Sequence, residues 1–304
     1  MQKITPCLWF NKDAEAAVKL YTSIIPKSNV GSITHYGKEG FEIHHMPEGT
    51  VLTINFTLGE QPFLAMNGGP AFTFNPSISF HIKCETAAEV DALWAKLSPE
   101  GKVLMELGEY PFSKRYGWLE DKYGVSWQVI YAGDQPFQQK IVPALLYVGS
   151  MCGRAEEAVN FYASLFKNSK VNTISRYGKG MEPDKETSVN YAGFTLAGQE
   201  FIAMESAREH KFTFNEAISF EVDCQDQEEV DYFWNAFTTD GGQESMCGWL
   251  KDKFGVSWQI VPKRLGQLLG DKDPIKSGRV MTEMLKMKKI IVKDLEAAYN
   301  EKTK

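Results

Sequence analysis

The strongest constraint on this chain is that it is written twice. Phe72–Phe80 reads FTFNPSISF and Phe212–Phe220 reads FTFNEAISF. Gly117–Gln128 (GWLEDKYGVSWQ) and Gly248–Gln259 (GWLKDKFGVSWQ) agree at 10 of 12 positions. Between these anchors Tyr21 answers Tyr162, Phe63–Met66 answers Phe201–Met204, Cys84 answers Cys224 and Trp94 answers Trp234, in unchanged order. Self-similarity of this kind means repeated structural units. The 304 residues therefore read as two copies of one domain rather than two unlike domains. The copies run over residues 1–133 and 138–262. The polar, Gly- and Pro-containing stretch Ala132–Gln139 between them reads as a linker.

Each copy is itself built of two units. Ile4–Phe10 is a short apolar run, a strand candidate. In Asp13–Ile25, Ala17, Leu20, Tyr21 and Ile24 recur at spacings of three and four, a helical face that stops before Pro26. Three strand-like runs follow: Val30–Tyr36, Val51–Leu58 and Pro62–Met66. The order then restarts with strand Ile78–Cys84, helix Thr86–Leu97 behind the capping-box pair Thr86 and Glu89, and runs Val103–Leu107, Lys114–Leu119 and Ser126–Tyr131. Strand, helix and three strands, four times over, predicts an α+β fold. Within Val51–Leu58, Leu52, Ile54, Phe56 and Leu58 share one face while Val51, Thr53, Asn55 and Thr57 share the other. The apolar face would pack on helices; the other looks into a cavity or into water. Trp94 to Gly117 spans 23 positions but Trp234 to Gly248 only 14, so the second copy lacks nine residues of a hairpin. One wall of its cavity should be shorter or more open.

Composition and motifs exclude several classes. With 43% hydrophobic and 24% charged residues the chain is an ordinary globular one, and no run of 18 apolar residues is available to span a membrane. The start MQKITPCLWFNKD lacks the basic and then apolar pattern of a signal peptide. Five cysteines between Cys7 and Cys247 do not make a disulfide framework and read as reduced thiols of a cytoplasmic protein. Cys84 and Cys224 stand in register before a helix and read as buried and inert. A net charge of −6 argues against nucleic acid; it divides into −11 over residues 1–262 and +5 over 263–304. None of the five histidines repeats: His35 faces Arg176 and His81 faces Glu221. Two equivalent histidine metal sites are thereby excluded, and His44–His45 reads as a polar hairpin tip. No P-loop, Gly-x-Ser-x-Gly or His-Glu-x-x-His is present, and no Gly-x-Gly turn leads from a strand into a helix.

The runs ITPCLWF, AEAAVKLY, FTFNPSISF, EVDALW and GWLEDKYGVSWQVI resemble the PhnB-like branch of the vicinal-oxygen-chelate superfamily of glyoxalases, bleomycin-resistance proteins and dioxygenases. That branch is often labelled 3-demethylubiquinone-9 3-methyltransferase. The resemblance covers residues 1–262, and the tail VMTEMLKMKKIIVKDLEAAY is similar to that branch's C-terminal extension. It implies two tandem glyoxalase-like domains, each of paired βαβββ modules whose curled, mixed or antiparallel sheets enclose a cavity, plus a helical tail. It also implies metal-ligand positions on the first, fourth, fifth and eighth strands of a domain. These fall on Pro6, Asn67, the Ser77–Phe80 run and Gln128, and in the second copy on Pro143, Glu205, Ala217 and Gln259. Proline carries no ligand atom, and Ser, Ala and Gln are poor substitutes for imidazole and carboxylate, so no metal or other cofactor is inferred.

The remaining candidates are ligand contacts. Gln128 and Gln259, beside Trp127 and Trp258, point inward on the family orientation to meet a polar ligand group, or else satisfy their own sheet's loops. Glu205 is read as a base or a solvated strand end, opposite Asn67 in the other copy. Trp118 and Trp249 line a pocket or belong to the core. Asn55 faces the cavity side of its strand. In the tail, Asp273–Pro274 reads as a helix start and Val280, Met284 and Met287 as an apolar stripe. That helix is expected to pack on its own domain or to join copies into a homo-oligomer; a partner- or membrane-surface role is the competing reading. Three functional readings stand: a cytoplasmic small-molecule binder without a metal, a metal-dependent glyoxalase-type lyase, isomerase or dioxygenase, and a structural protein with filled cavities.

Overall fold

The computed structural model describes residues 2–133 and 136–301. Asp134 and Gln135 of the expected linker, Met1, and residues 302–304 of the tail lie outside the described residues. Module I holds β1 (Ile4–Phe10), α1 (Ala14–Ile24), β2 (Asn29–His35), α2 (Phe41–His44), β3 (Val51–Leu58) and β4 (Gln61–Asn67). Module II holds β5 (Ile78–Cys84), α3 (Ala87–Leu97), β6 (Lys102–Tyr110), β7 (Ser113–Glu120) and β8 (Ser126–Tyr131). Module III holds β9 (Ile141–Val148), α4 (Ala155–Leu165), β10 (Lys170–Arg176), β11 (Val189–Leu196) and β12 (Gln199–Ser206). Module IV holds β13 (Ile218–Cys224), α5 (Gln227–Thr238), β14 (Gln243–Glu244), β15 (Trp249–Lys251) and β16 (Ser257–Pro262). The tail forms α6 (Lys263–Leu269), α7 (Pro274–Met284) and α8 (Val292–Asn300).

The helix starts follow their capping residues. Thr86 accepts from the Glu89 amide at 3.1 Å, and Asp226 does the same for Glu229 at 3.0 Å. Asp273 caps α7 through Ile275, with Pro274 as the first helical residue. Where a hairpin tip was expected at His44–His45, a single helical turn forms instead. His44 is held by the Glu39 carbonyl and the Met46 amide and lies against the Tyr36 ring.

The two sheets do not follow the repeat. One sheet runs β14-β15-β16-β13-β1-β4-β3-β2, and the other runs β10-β11-β12-β9-β5-β8-β7-β6. Strand β1 pairs antiparallel with β13, and β5 pairs antiparallel with β9. Module I thus shares a sheet with module IV, and module II with module III.

Helix-side packing joins the modules the other way. Tyr21 of α1 meets Trp127 of β8, and Phe63 of β4 meets Phe80 of β5. In the second copy Tyr162 meets Trp258 and Phe201 meets Phe220. Asp121 locks the first core, accepting from Tyr21 Oη, Trp127 Nε1 and the Tyr123 and Val125 amides. Asp252 repeats the set with Tyr162, Trp258, Phe254 and Val256. Aromatic cores therefore form within a copy while hydrogen-bonded sheets form between copies, so each curled sheet makes a cup from both.

The tail folds on its own chain, burying Leu265, Leu268, Val280, Met287, Ile290 and Leu295 together. Its Met287 and Lys288 carbonyls accept from the Cys247 and Gly248 amides, both at 2.7 Å, at the point where the second copy lost its hairpin residues. Among the described residues no helix is long and apolar enough to cross a membrane.

Candidate functional site

Strand alternation decides what each cup presents. In β13, Ile218, Phe220, Val222 and Cys224 belong to the helix-side core, which leaves Ser219, Glu221 and Asp223 for the cup. In β1, Ile4, Leu8 and Phe10 face the core, leaving Thr5, Cys7 and Trp9 for the cup. Pro6 therefore lies on the helix side, and the first-strand position that the resemblance assigned to it belongs in the cup to Cys7. Its counterpart in β9 is Ala144.

Two rows cross the floor of the cup made by modules I and IV. One is Asn55, Leu64, Cys7, Ser219, Ser257 and Lys251, each paired with the next across neighbouring strands. The other is Thr5, Glu221, Gln259 and Trp249. The matching row of the other cup is Val142, His81, Gln128 and Trp118. The Trp–Gln pair is thus common to both cups, and the titratable floor residue is Glu in one and His in the other.

The cup of modules II and III is closed by its own side chains. The Gln128 amide accepts from Tyr116 Oη at 2.5 Å and donates to Ser79 Oγ at 2.7 Å. Trp118 Nε1 donates to Ser126 Oγ. The β6–β7 hairpin packs Tyr110 and Phe112 on Tyr116, with centroids 5.4 and 5.0 Å from it. Val142, Ala144 and Ile202 are buried beneath. His81 has its Nε2 buried without a partner. Burial, and secondarily the Lys83 charge, pulls its pKa down to about 4, so it is neutral at physiological pH.

The cup of modules I and IV is left unfinished. Gln259 Nε2 donates to Ser219 Oγ at 2.9 Å, as in the other cup, but Cys247 stands where Tyr116 does. The tail carbonyls turn Cys247 away, its Sγ directed at Met284 O. Ser257 Oγ is buried without a partner, because the Trp249 indole leans against Trp9 (centroids 5.8 Å, T-shaped). Strands β13 and β16 lie between these two tryptophans, so their contact records the curl of the sheet. Cys7 lies within hydrogen-bonding reach of Gln259 and Ser219, and burial pushes its thiol up to about 12. Glu221 has no hydrogen bond or ion pair among the described residues. Burial, reinforced by the Asp223 charge, lifts its carboxyl to about 7. A shallow cleft of about 180 Å³, lined by Phe72, Phe74, Tyr123 and Asp13, shares only Trp9 with this floor.

The structure brings Gln259 and Trp249 together in one cup and Gln128 and Trp118 in the other. Asn55 sits at the exposed rim, bonded to Ser32. Asn67 and Glu205, named as candidate ligand contacts, lie on the opposite side of their sheets from the cups, facing α1 and α4. Asn67 takes the Ala14 amide at 3.0 Å and donates to Glu15 and the Val51 carbonyl. Glu205, buried rather than solvated, takes the Ala155 and Val189 amides, both at 2.7 Å. Both side chains tie a helix start to a strand, which fully accounts for their burial. Sequence reasoning missed Thr5, Cys7, Trp9 and Glu221 as floor residues. The signal was legible for Glu221: Ser219-Phe-Glu-Val-Asp223 alternates polar and apolar residues, and Glu221 answers His81.

The donor set of the cups does not suit a transition metal. It offers a neutral thiol, the Glu221 and Asp223 carboxyls, amides and hydroxyls in one cup and the His81 imidazole in the other. Among the described residues no group of three or more His, Cys, Asp or Glu is arranged to hold an ion.

The sequence model of the family described as 3-demethylubiquinone-9 3-methyltransferase matches residues 2–130 and 139–261. No curated protein matches the chain. A solved PhnB protein of Bacillus cereus is 45% identical, covering 43% of this chain and 100% of its own, with a TM-score of 0.40. Glyoxalase I from Zea mays is 10% identical over 86% of this chain and 92% of its own, with a TM-score of 0.55. A proposed dioxygenase of Bacillus subtilis is 8% identical over 86% of this chain and 85% of its own, with a TM-score of 0.51. The last two likenesses establish the fold alone: the paired βαβββ arrangement is that of the vicinal-oxygen-chelate proteins.

Proposed function

The chain belongs to the 3-demethylubiquinone-9 3-methyltransferase family, in its PhnB-like form, and from that premise we propose that it binds a small organic molecule in the cup of modules I and IV, without a metal. The observation that carries this reading is the set of unpartnered polar groups on that floor. Among the described residues the Glu221 carboxyl, the buried Ser257 hydroxyl and the Trp249 indole N–H have no protein partner, whereas in the other cup Trp118 donates to Ser126, and His81, the counterpart of Glu221, keeps one buried ring nitrogen unpartnered. Buried polar groups are normally satisfied, so an open set beside aromatic walls is what a ligand would complete. The filled-cavity reading describes the other cup.

A metal-dependent lyase or dioxygenase receives no support from the donor set. Methyl transfer receives none either, since no strand-to-helix turn among the described residues carries Gly-x-Gly.

Native mass spectrometry of the purified chain combined with a fragment screen read at the Trp249 indole resonance tests the proposal. We expect a copurified or added small molecule at one per chain, lost in Trp249→Ala. A cup that takes no fragment, with the indole resonance unmoved throughout, would sink it. The same spectrum reports whether copies associate through the C-terminal helices.

A further inference from the structure

We propose that the cup of modules I and IV takes a protonated organic amine, its ammonium against Glu221 and its apolar body along Trp9, Trp249 and Met66. This rests on the small-molecule reading above and names the chemical class of the ligand.

The charges around the floor point one way. Glu221 and Asp223 present two acids on the cup face of β13; Lys263 pairs with Asp223, and among the described residues no cation pairs with Glu221. Lys3 donates to the Asp223 carbonyl at 2.6 Å and pairs with Glu229 at 2.8 Å. Lys251 pairs with Glu216 at 2.9 Å. Lys263, at the start of the tail, bonds Gln225 and stands 3.7 Å from Asp223. From β1, β4, β16 and β15 the groups facing Glu221 and its row are Thr5, Cys7, Leu64, Met66, Gln259 and Trp249, none of them charged at neutral pH.

An anionic ligand would be repelled by this floor. A neutral one would leave the carboxylate unpaired in a partly desolvated site, which is unfavourable. An ammonium supplies the missing countercharge and can donate to the unpartnered Ser257 hydroxyl, while indole faces attract cations. The equivalent row of the other cup replaces Glu221 by neutral His81 and Thr5 by Val142, so it offers a cation no countercharge.

The test uses the full chain and three probes of one shape: benzylammonium, benzyl alcohol and benzoate, followed by isothermal titration calorimetry. At pH 8 benzylammonium should bind at least tenfold more tightly than the other two. Its affinity should fall about tenfold per pH unit once the pH drops below the Glu221 titration near 7. Glu221→Gln should cost at least tenfold in benzylammonium affinity and abolish the pH dependence, with the circular dichroism spectrum unchanged. His81→Gln should leave binding intact.

Equal or tighter binding of benzyl alcohol or benzoate, or binding indifferent to Glu221→Gln, would overturn the amine and leave the small-molecule cup standing. Stoichiometric displacement of benzylammonium by Zn²⁺ or Ni²⁺ would reassign Cys7 and Glu221 to a metal. If no probe binds and no copurified molecule is found, both readings fall together.

Discussion

The two cups of this molecule share a tryptophan, a glutamine and a serine at matching floor positions, yet in one the tryptophan is bonded to the serine and in the other neither has a partner among the described residues. The difference traces to the β6–β7 hairpin. Its full length in module II carries Tyr116 onto Gln128 and stacks Tyr110 and Phe112 behind it. In module IV the hairpin is nine residues shorter, and the tail takes up the free edge through Cys247 and Gly248 without supplying a phenol. Duplication thus lets one cup bond its tryptophan to its serine while the other keeps both unpartnered among the described residues. The titratable residues follow the same division, a neutral histidine under a closed roof and a carboxyl under an open one.

The comparison can be broken at three levels. The largest effect is expected where the halves should be alike. Asp121→Ala and Asp252→Ala each strand a buried tyrosine hydroxyl, an indole N–H and two amides. Each should lower stability by about 3–5 kcal/mol in urea unfolding. A large loss from only one of the two would show that the copies are not equivalent cores.

The next effect separates the cups by pH. Glu221 rises from 4.5 unfolded to about 7 folded. The folded state holds that proton more tightly, so stability present below pH 4.5 is lost as pH rises through 7. Glu221→Gln should therefore gain about 1–3 kcal/mol at pH 8 and little at pH 4. His81 falls from 6.5 to about 4, so its stability is present above 6.5 and lost as pH falls through 4. His81→Gln should accordingly help only on the acid side. Denaturation across pH 4–8 reads both, and profiles of the same sign would contradict the assignment.

The smallest effect is Tyr116→Phe, which removes the phenol from Gln128 and should cost about 1–2 kcal/mol. Faster deuterium exchange along β8 would accompany it if that bond is what closes the cup.

Much of the fold was legible before any coordinates. The repeat, the four strand–helix–three-strand modules, the Thr86 cap and the Asp273–Pro274 helix start are all local patterns, and local patterns are set by spacing and capping chemistry. Alternation shows only that Gln259 and its neighbour Trp258 point to opposite faces; which of them faces the cup comes from the family orientation, and Trp249 stays open between pocket and core. The placement of Asn67 and Glu205 was not legible. A polar residue at a strand end can face either side, and its direction is decided by unsatisfied amides at Ala14, Ala155 and Val189 that belong to distant elements. The single turn at Phe41–His44 was lost likewise, being held by Tyr36 and Glu39 rather than by its own propensity.

By itself the sequence determined that two copies of a paired βαβββ unit exist, and which residues alternate along each strand. It did not determine which modules share a sheet. The first strands of both copies are similar enough that β1 could pair within its own copy or with the other. Nothing in a local pattern separates the two, because backbone hydrogen bonds carry no sequence label. Tertiary packing chose the exchange: the aromatic cores join modules within a copy, leaving strand edges to meet across copies. That choice set Thr5 and Cys7 of the first copy beside Glu221, Gln259 and Trp249 of the second, and so created the open cup.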